Sequence, residues 1–121
     1  MATIDNLPPE TRERVLRLQQ MQNTLQTLVS QRQRLELELG ETERALKGLE
    51  TVQLDMKIYK SIGTILVERE KGSVVKELGE RKELLELRLK TLGGQEDKAR
   101  KRVAELQKAL QKELGIESPP Q

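Results

Sequence analysis

Two mirrored heptad series constrain this chain more than any other feature of its sequence. In the first, a positions 18, 25, 32, 39, 46 and 53 and d positions 21, 28, 35, 42, 49 and 56 hold Leu18, Met21, Leu25, Leu28, Leu35, Leu39, Leu46, Leu49 and Met56, interrupted by Arg32, Thr42 and Gln53. In the second, positions 75, 78, 82, 85, 89, 92, 96, 99, 103, 106, 110 and 113 hold Val75, Leu78, Leu85, Leu89, Leu92, Ala99, Val103, Leu106 and Leu110, interrupted by Lys82, Glu96 and Glu113. Nine of twelve positions are apolar in each series in a chain that is 35% apolar. Chance would fill about four, so a repeat of 3.5 residues is the better account, and it specifies two long helices that bury one stripe against each other.

The series predict an antiparallel pairing. Setting residues whose numbers total 131 opposite one another brings every a to a d, with Met56 against Val75, Leu46 against Leu85, Leu39 against Leu92 and Leu28 against Val103. Pro8-Pro9-Glu10 reads as a helix entry, because proline is tolerated in a first turn whose N–H groups lack partners. Ser73 reads as the N-cap of a helix entered at Val74, and Gly115 with Pro119-Pro120 as its stop. The expected layout is a lead-in over 1–9, a helix over 10–57, a hairpin segment over 58–73, a helix over 74–114 and a flexible tail over 115–121. Gly93-Gly94 marks a soft spot where the second helix bends, frays or breaks, although the heptad phase continues across it.

Composition narrows the function. The chain of 121 residues is 35% charged and 1% aromatic, too thin in large side chains for an ordinary globular core. It contains no His, Cys or Trp, and only three Asp, at 5, 55 and 97. Catalytic residues, metal ligands and cofactor sites are therefore not expected, and an enzyme is not expected either. The net charge of +2, from 22 basic and 20 acidic side chains, does not by itself imply nucleic acid. The first nine residues lack a basic region followed by an apolar run, no stretch approaches the roughly 20 apolar residues of a membrane span, and cysteine is absent, so a cytoplasmic protein with no membrane partner is expected.

Between the helices the composition changes. The run Lys57-Ile58-Tyr59-Lys60-Ser61-Ile62-Gly63-Thr64-Ile65-Leu66-Val67-Glu68-Arg69-Glu70 is rich in β-branched residues around one glycine and predicts a β-hairpin turning near Gly63-Thr64. Ile65-Leu66-Val67 is apolar at consecutive positions, so both faces of that strand need cover. A lone two-stranded hairpin is marginal in water and its outer edges invite further strands. Ile58, Tyr59, Ile62, Gly63, Ile65, Leu66 and Val67 are accordingly the candidate oligomerisation residues, and the partners are copies of the chain or related subunits.

Two long heptad helices around Ile58-Tyr59-Lys60-Ser61-Ile62-Gly63-Thr64-Ile65-Leu66-Val67 resemble the β-class subunits of prefoldin, the co-chaperone of archaea and eukaryotes. The pattern Tyr-Lys-x-hydrophobic-Gly-x-hydrophobic-Leu-Val is the specific part, the likeness covers about residues 8 to 115, and one hairpin rather than two matches the β class. The resemblance implies a mainly α fold, an antiparallel two-helix coiled coil whose single hairpin joins a β-barrel built by two α-class and four β-class subunits. It also implies ATP-independent capture of non-native client proteins between the coiled-coil tips and their delivery to a group II chaperonin. The chain looks more like the archaeal form than the eukaryotic one.

With the hairpin end committed to assembly, both termini lie together at the other end. Val15, Leu16, Leu18, Met21, Leu25, Leu106, Leu110, Leu114 and Ile116 are the candidate client-binding residues, offered to non-native chains where the helix ends fray. The bland reading is that they only zip the coil. This end is also basic, with a net +3 over 10–34 and +2 over 97–121 against −3 over 35–58. Its densest run, Lys98-Ala99-Arg100-Lys101-Arg102, reads as a solvated face or, in the alternatives, as a nucleic-acid or acidic-partner surface; a passive coiled-coil scaffold is a further alternative. The absence of stacking aromatics argues against nucleic acid.

Overall fold

The computed structural model describes residues 6–115, which form α1 (Pro9–Leu49), β1 (Ile58–Ile62), β2 (Ile65–Arg69) and α2 (Lys71–Glu113) in chain order. The strands make a two-stranded antiparallel sheet. By contacts the chain divides into two compact units, one of residues up to 31 with those from 92 onward, the other spanning Arg32–Thr91.

The heptad positions are the positions the fold covers. Every a and d residue from Leu18 to Leu49, and from Leu78 to Leu110, is buried or half-buried, and Leu85 is sealed completely. The seam extends one heptad further than the apolar pattern, because Thr11 is also buried. Polar side chains on it have local partners. The Thr42 hydroxyl donates to the Glu38 carbonyl at 2.9 Å, and the buried Glu96 carboxylate accepts from Arg100 at 2.9 Å.

The first helix is shorter than its apolar series. It stops at Leu49, eight residues before position 57, and the chain tightens into i→i−3 bonds from Glu50 N–H to the Lys47 carbonyl and from Val52 N–H to the Leu49 carbonyl, both 3.2 Å. The Thr51 hydroxyl takes up the Gly48 carbonyl at 3.1 Å. Gln53 and Met56 therefore lie outside the seam, and Met56 is 54% exposed.

That early stop corrects the register. In the unit 32–91, Arg81 donates to Glu38 at 2.8 Å and Leu46 and Leu49 share a groove with Val75, so facing residue numbers total about 124. In the other unit Arg14 pairs with Glu113, and Met21 and Leu28 share a groove with Gln95 and Ala99, again near 124. A total of 131 would leave Arg81 and Glu38 twelve residues out of step, a rise of roughly 18 Å. The pairing is thus one heptad away from the expected one, and a slip of seven keeps every a opposite a d. Leu49 instead of Met56 comes to Val75, Leu46 to Leu78, Leu39 to Leu85 and Leu25 to Ala99.

The second helix starts earlier than expected. Val74 N–H bonds the Glu70 carbonyl at 3.1 Å, which makes Lys71 the first helical residue and puts Ser73 inside the first turn rather than at the cap. The reason is the direct junction with β2, which ends at Arg69; the Ser73 hydroxyl accepts from Arg69 at 3.2 Å instead. The helix runs without interruption through Gly93-Gly94 to Glu113, so the three-helix alternative is excluded. Gly115, with φ +70°, closes it in the left-handed cap conformation that glycine adopts freely.

Two substitutions separate seam from surface. Leu85→Ala is expected to cost about 2–5 kcal/mol in urea denaturation, the range for a buried leucine, because its side chain is fully enclosed. Gly93→Ala is expected to gain up to about 1 kcal/mol, since a Cβ there meets nothing within 4 Å.

Candidate functional site

The hairpin is built around one glycine. Gly63 and Thr64 form a two-residue turn in which Gly63 has φ +60° and Thr64 does not have a positive φ, the pattern of a type II′ turn whose twist suits two antiparallel strands. The pairs Ile58↔Arg69, Lys60↔Val67 and Ile62↔Ile65 share one face, and Tyr59↔Glu68 and Ser61↔Leu66 share the other.

The two faces differ in cover. On the first, Ile58, Lys60, Val67 and Arg69 are half-buried. This face is fastened to α2 through Glu77, whose two carboxylate oxygens accept from Lys60 Nζ and, at 3.2 Å, from Arg69. On the second, Tyr59 is 56% and Leu66 70% exposed, and on the first face Ile62 and Ile65, next to the turn, are exposed as well. Among the described residues there is no third strand, so each strand keeps one unpaired edge beside uncovered apolar side chains. The strand that needs cover on both faces receives it on one.

The fastening has an electrostatic consequence. The hydrogen bond from Lys60 holds the Glu77 carboxyl below its ordinary value of 4.5, and the charges of Lys60 and Arg69 act in the same direction. Sequence reading missed this cluster. Once the turn is placed at Gly63-Thr64 the register puts Lys60 and Arg69 on a common face, but that a carboxylate of α2 lies against that face is a tertiary fact.

The other candidate residues are divided by the structure. Leu16 is 53% and Leu114 43% exposed, whereas Val15, Leu18, Met21 and Leu25 are half-buried and Leu106 and Leu110 are buried. Leu106 and Leu110 hold their expected seam positions and are closed within it, so that of the candidate set only Leu16 and Leu114 are exposed among the described residues. Ile116 lies outside the described residues. The basic run 98–102 is partly neutralised, with Arg100 on Glu96 at 2.9 Å and Arg102 on Glu105 at 3.4 Å. Among the described residues no cluster of acidic side chains fits a metal ion, and no helix is long and apolar enough to cross a membrane.

Comparison with known proteins agrees with this architecture. The family model described as prefoldin subunit matches residues 12–116. The chain is 47% identical over 105 residues to the prefoldin subunit beta of Archaeoglobus fulgidus, covering 87% of this chain and 90% of that protein, and 43% identical over 109 residues to that of Pyrobaculum neutrophilum, covering 90% and 86%. The crystal structure of the prefoldin beta subunit from Thermococcus strain KS-1 superposes with a TM-score of 0.79 at 35% identity, covering 98% of this chain and all of that one. The beta2 subunit from the same strain, at 22% identity and a TM-score of 0.67, shares the fold.

A carboxyl whose folded pKa lies below its unfolded one contributes stability above pH 4.5 and loses it as the pH falls through the lowered value. Tyr59, the sole aromatic residue, reports on the hairpin by fluorescence. Its emission is expected to change in an acid step below pH 4.5, and Glu77→Gln is expected to remove that step.

Proposed function

The chain belongs to the prefoldin family, in its β class, and from that premise we propose that it works as an ATP-independent holdase subunit that captures non-native polypeptides and hands them to a group II chaperonin in the cytoplasm. The observation that carries the assembly is the uncovered hairpin. Tyr59, Ile62, Ile65 and Leu66 stand in water in the single chain, and covering an aliphatic side chain of that size gains roughly 1.5–3 kcal/mol. Three such residues outweigh the marginal stability of an isolated hairpin. The assembly proposed is that of two α-class subunits with four copies of this chain, the hairpins supplying one another with the missing strands.

Client contact belongs at the opposite helix ends. Leu16 and Leu114 are the apolar side chains already accessible there, on helices that are otherwise charged. Val15, Leu18, Met21 and Leu25 join them when the seam opens locally, and Leu106 and Leu110 only when it opens fully; Ile116 completes the proposed set. Opening is easiest where the last turns lack backbone partners, which is where a client would compete for the same leucines. Such binding reads apolar surface rather than sequence and needs no nucleotide. The ion pairs that Arg100 and Arg102 make within α2 weigh against a nucleic-acid surface.

Aggregation suppression tests the reading. The assembled complex is expected to keep an unfolded substrate soluble, Leu16→Asp with Leu114→Asp to weaken that protection, and removal of residues 1–20 and 106–121 to abolish it while the subunits still co-migrate on a sizing column. Full protection by the truncated complex would overturn the tip model.

A further inference from the structure

Residues 18–31 of α1 carry no charged side chain, although the chain is 35% charged and a stretch of that length would be expected to hold about five. Between its apolar positions stand Gln, Asn, Thr and Ser. In the unit formed by residues up to 31 with those from 92 onward, a groove of about 530 Å³ opens beside this run. Its cause is Ala99, since a seam position filled by alanine rather than leucine leaves space next to Met21 and Leu28. Thr24 and Gln95 add neutral walls. The charged side chains lining it are Lys98 and Arg102, four apart and therefore on one face of α2, and no carboxylate lines it. Among the described residues Lys98 makes no ion pair, and Arg102 makes an exposed one with Glu105 at 3.4 Å. A second groove, of about 340 Å³, shares Thr24 and Leu28 and is lined further by Gln20, Asn23, Thr27 and Gln31. The side-chain amides of Gln20, Asn23 and Gln31 make no hydrogen bond among the described residues.

We propose that this flank of the coil docks non-native segments in which an apolar side chain adjoins a carboxylate, so that the chain selects acidic over basic segments. The inference rests on the client reading and adds to it a contact beside Leu16 and Leu114, with a charge preference. The apolar side chain enters the groove over Met21, Leu28 and Ala99 from the side, with the seam closed. The carboxylate meets Lys98 and Arg102, whose charge no lining residue opposes, whereas a basic segment meets like charge there. Gln20, Asn23 and Gln31 offer both donors and acceptors to the unpaired backbone of an unfolded chain, at a smaller desolvation cost than charged side chains would incur. The basic run 98–102 is thereby divided: Arg100 is held by Glu96, while Lys98 and Arg102 line the groove.

The test uses the chain assembled with an α-class subunit and two labelled, unstructured peptides with the same leucine and phenylalanine positions, flanked by Glu in one and by Lys in the other. Fluorescence anisotropy reads their binding. The Glu peptide is expected to bind more tightly, with a preference that fades as salt is added. Lys98→Glu is expected to weaken the Glu peptide about fivefold and to strengthen the Lys peptide. Lys101→Glu makes the same change in net charge outside the groove, and is expected to leave the Glu peptide within about twofold. Equal affinity for the two peptides, or an equal loss from Lys101→Glu, overturns the groove. So does a Gln95→Cys thiol, in a chain otherwise free of cysteine, that reacts with a maleimide in the single chain and is shielded in the complex, because a neighbouring subunit then covers the site. In these cases the peptides still bind and the client reading stands; a complex that binds neither peptide overturns both.

Discussion

One row of leucines facing another is the interaction on which everything else in this protein depends. With a single aromatic residue and more than a third of its side chains charged, the chain has no material for a layered core. Its apolar residues are spent on a seam one side chain thick, in which a central leucine such as Leu85 is worth several kcal/mol. The ion pairs beside the seam, Arg81 with Glu38 and Arg14 with Glu113, are partly exposed and contribute at most about 1 kcal/mol each. Leucine therefore supplies the stability and the charges select among alignments that leucine alone leaves equivalent.

The seam accounts for the helices and leaves the hairpin exposed. Lys60, Arg69 and Glu77 fasten one face of the two-stranded sheet to the start of α2, and this sets the direction in which the other face looks. The uncovered face carries Tyr59 and Leu66, and on the fastened face Ile62 and Ile65, next to the turn, lie beyond the cover. A subunit made in this way is stable along its helices and unsatisfied at its hairpin, which is the division expected of a part made to be joined there.

Much of this was legible in the sequence because two different periods announce themselves. Spacing of 3.5 residues marks the helices, and the β-branched run around Gly63 marks the hairpin. The end of α1 was not legible, since Met56 falls on a d position and extends the apolar pattern past Leu49, where the backbone has already turned. Lys71 holds the Val52 carbonyl across nineteen residues, a contact that no local pattern displays. The register was not legible for a related reason: a slip of one heptad preserves every a-to-d pair, and Arg81 on Glu38 distinguishes the two alignments only in three dimensions. At the helix ends the pattern told which side chains face the partner helix, Leu106 and Leu110 among them, but not that Leu16 and Leu114, outside both series, stay exposed there.

The central claim is that the hairpin acquires its cover from other subunits. Hydrogen–deuterium exchange over residues 58–69 measures this directly, comparing the chain alone with the chain mixed with an α-class subunit. Strong protection of the strand amides, edge positions included, only in the mixture and together with a mass of several chains is the predicted result. Equal and full protection in a solitary chain would contradict it.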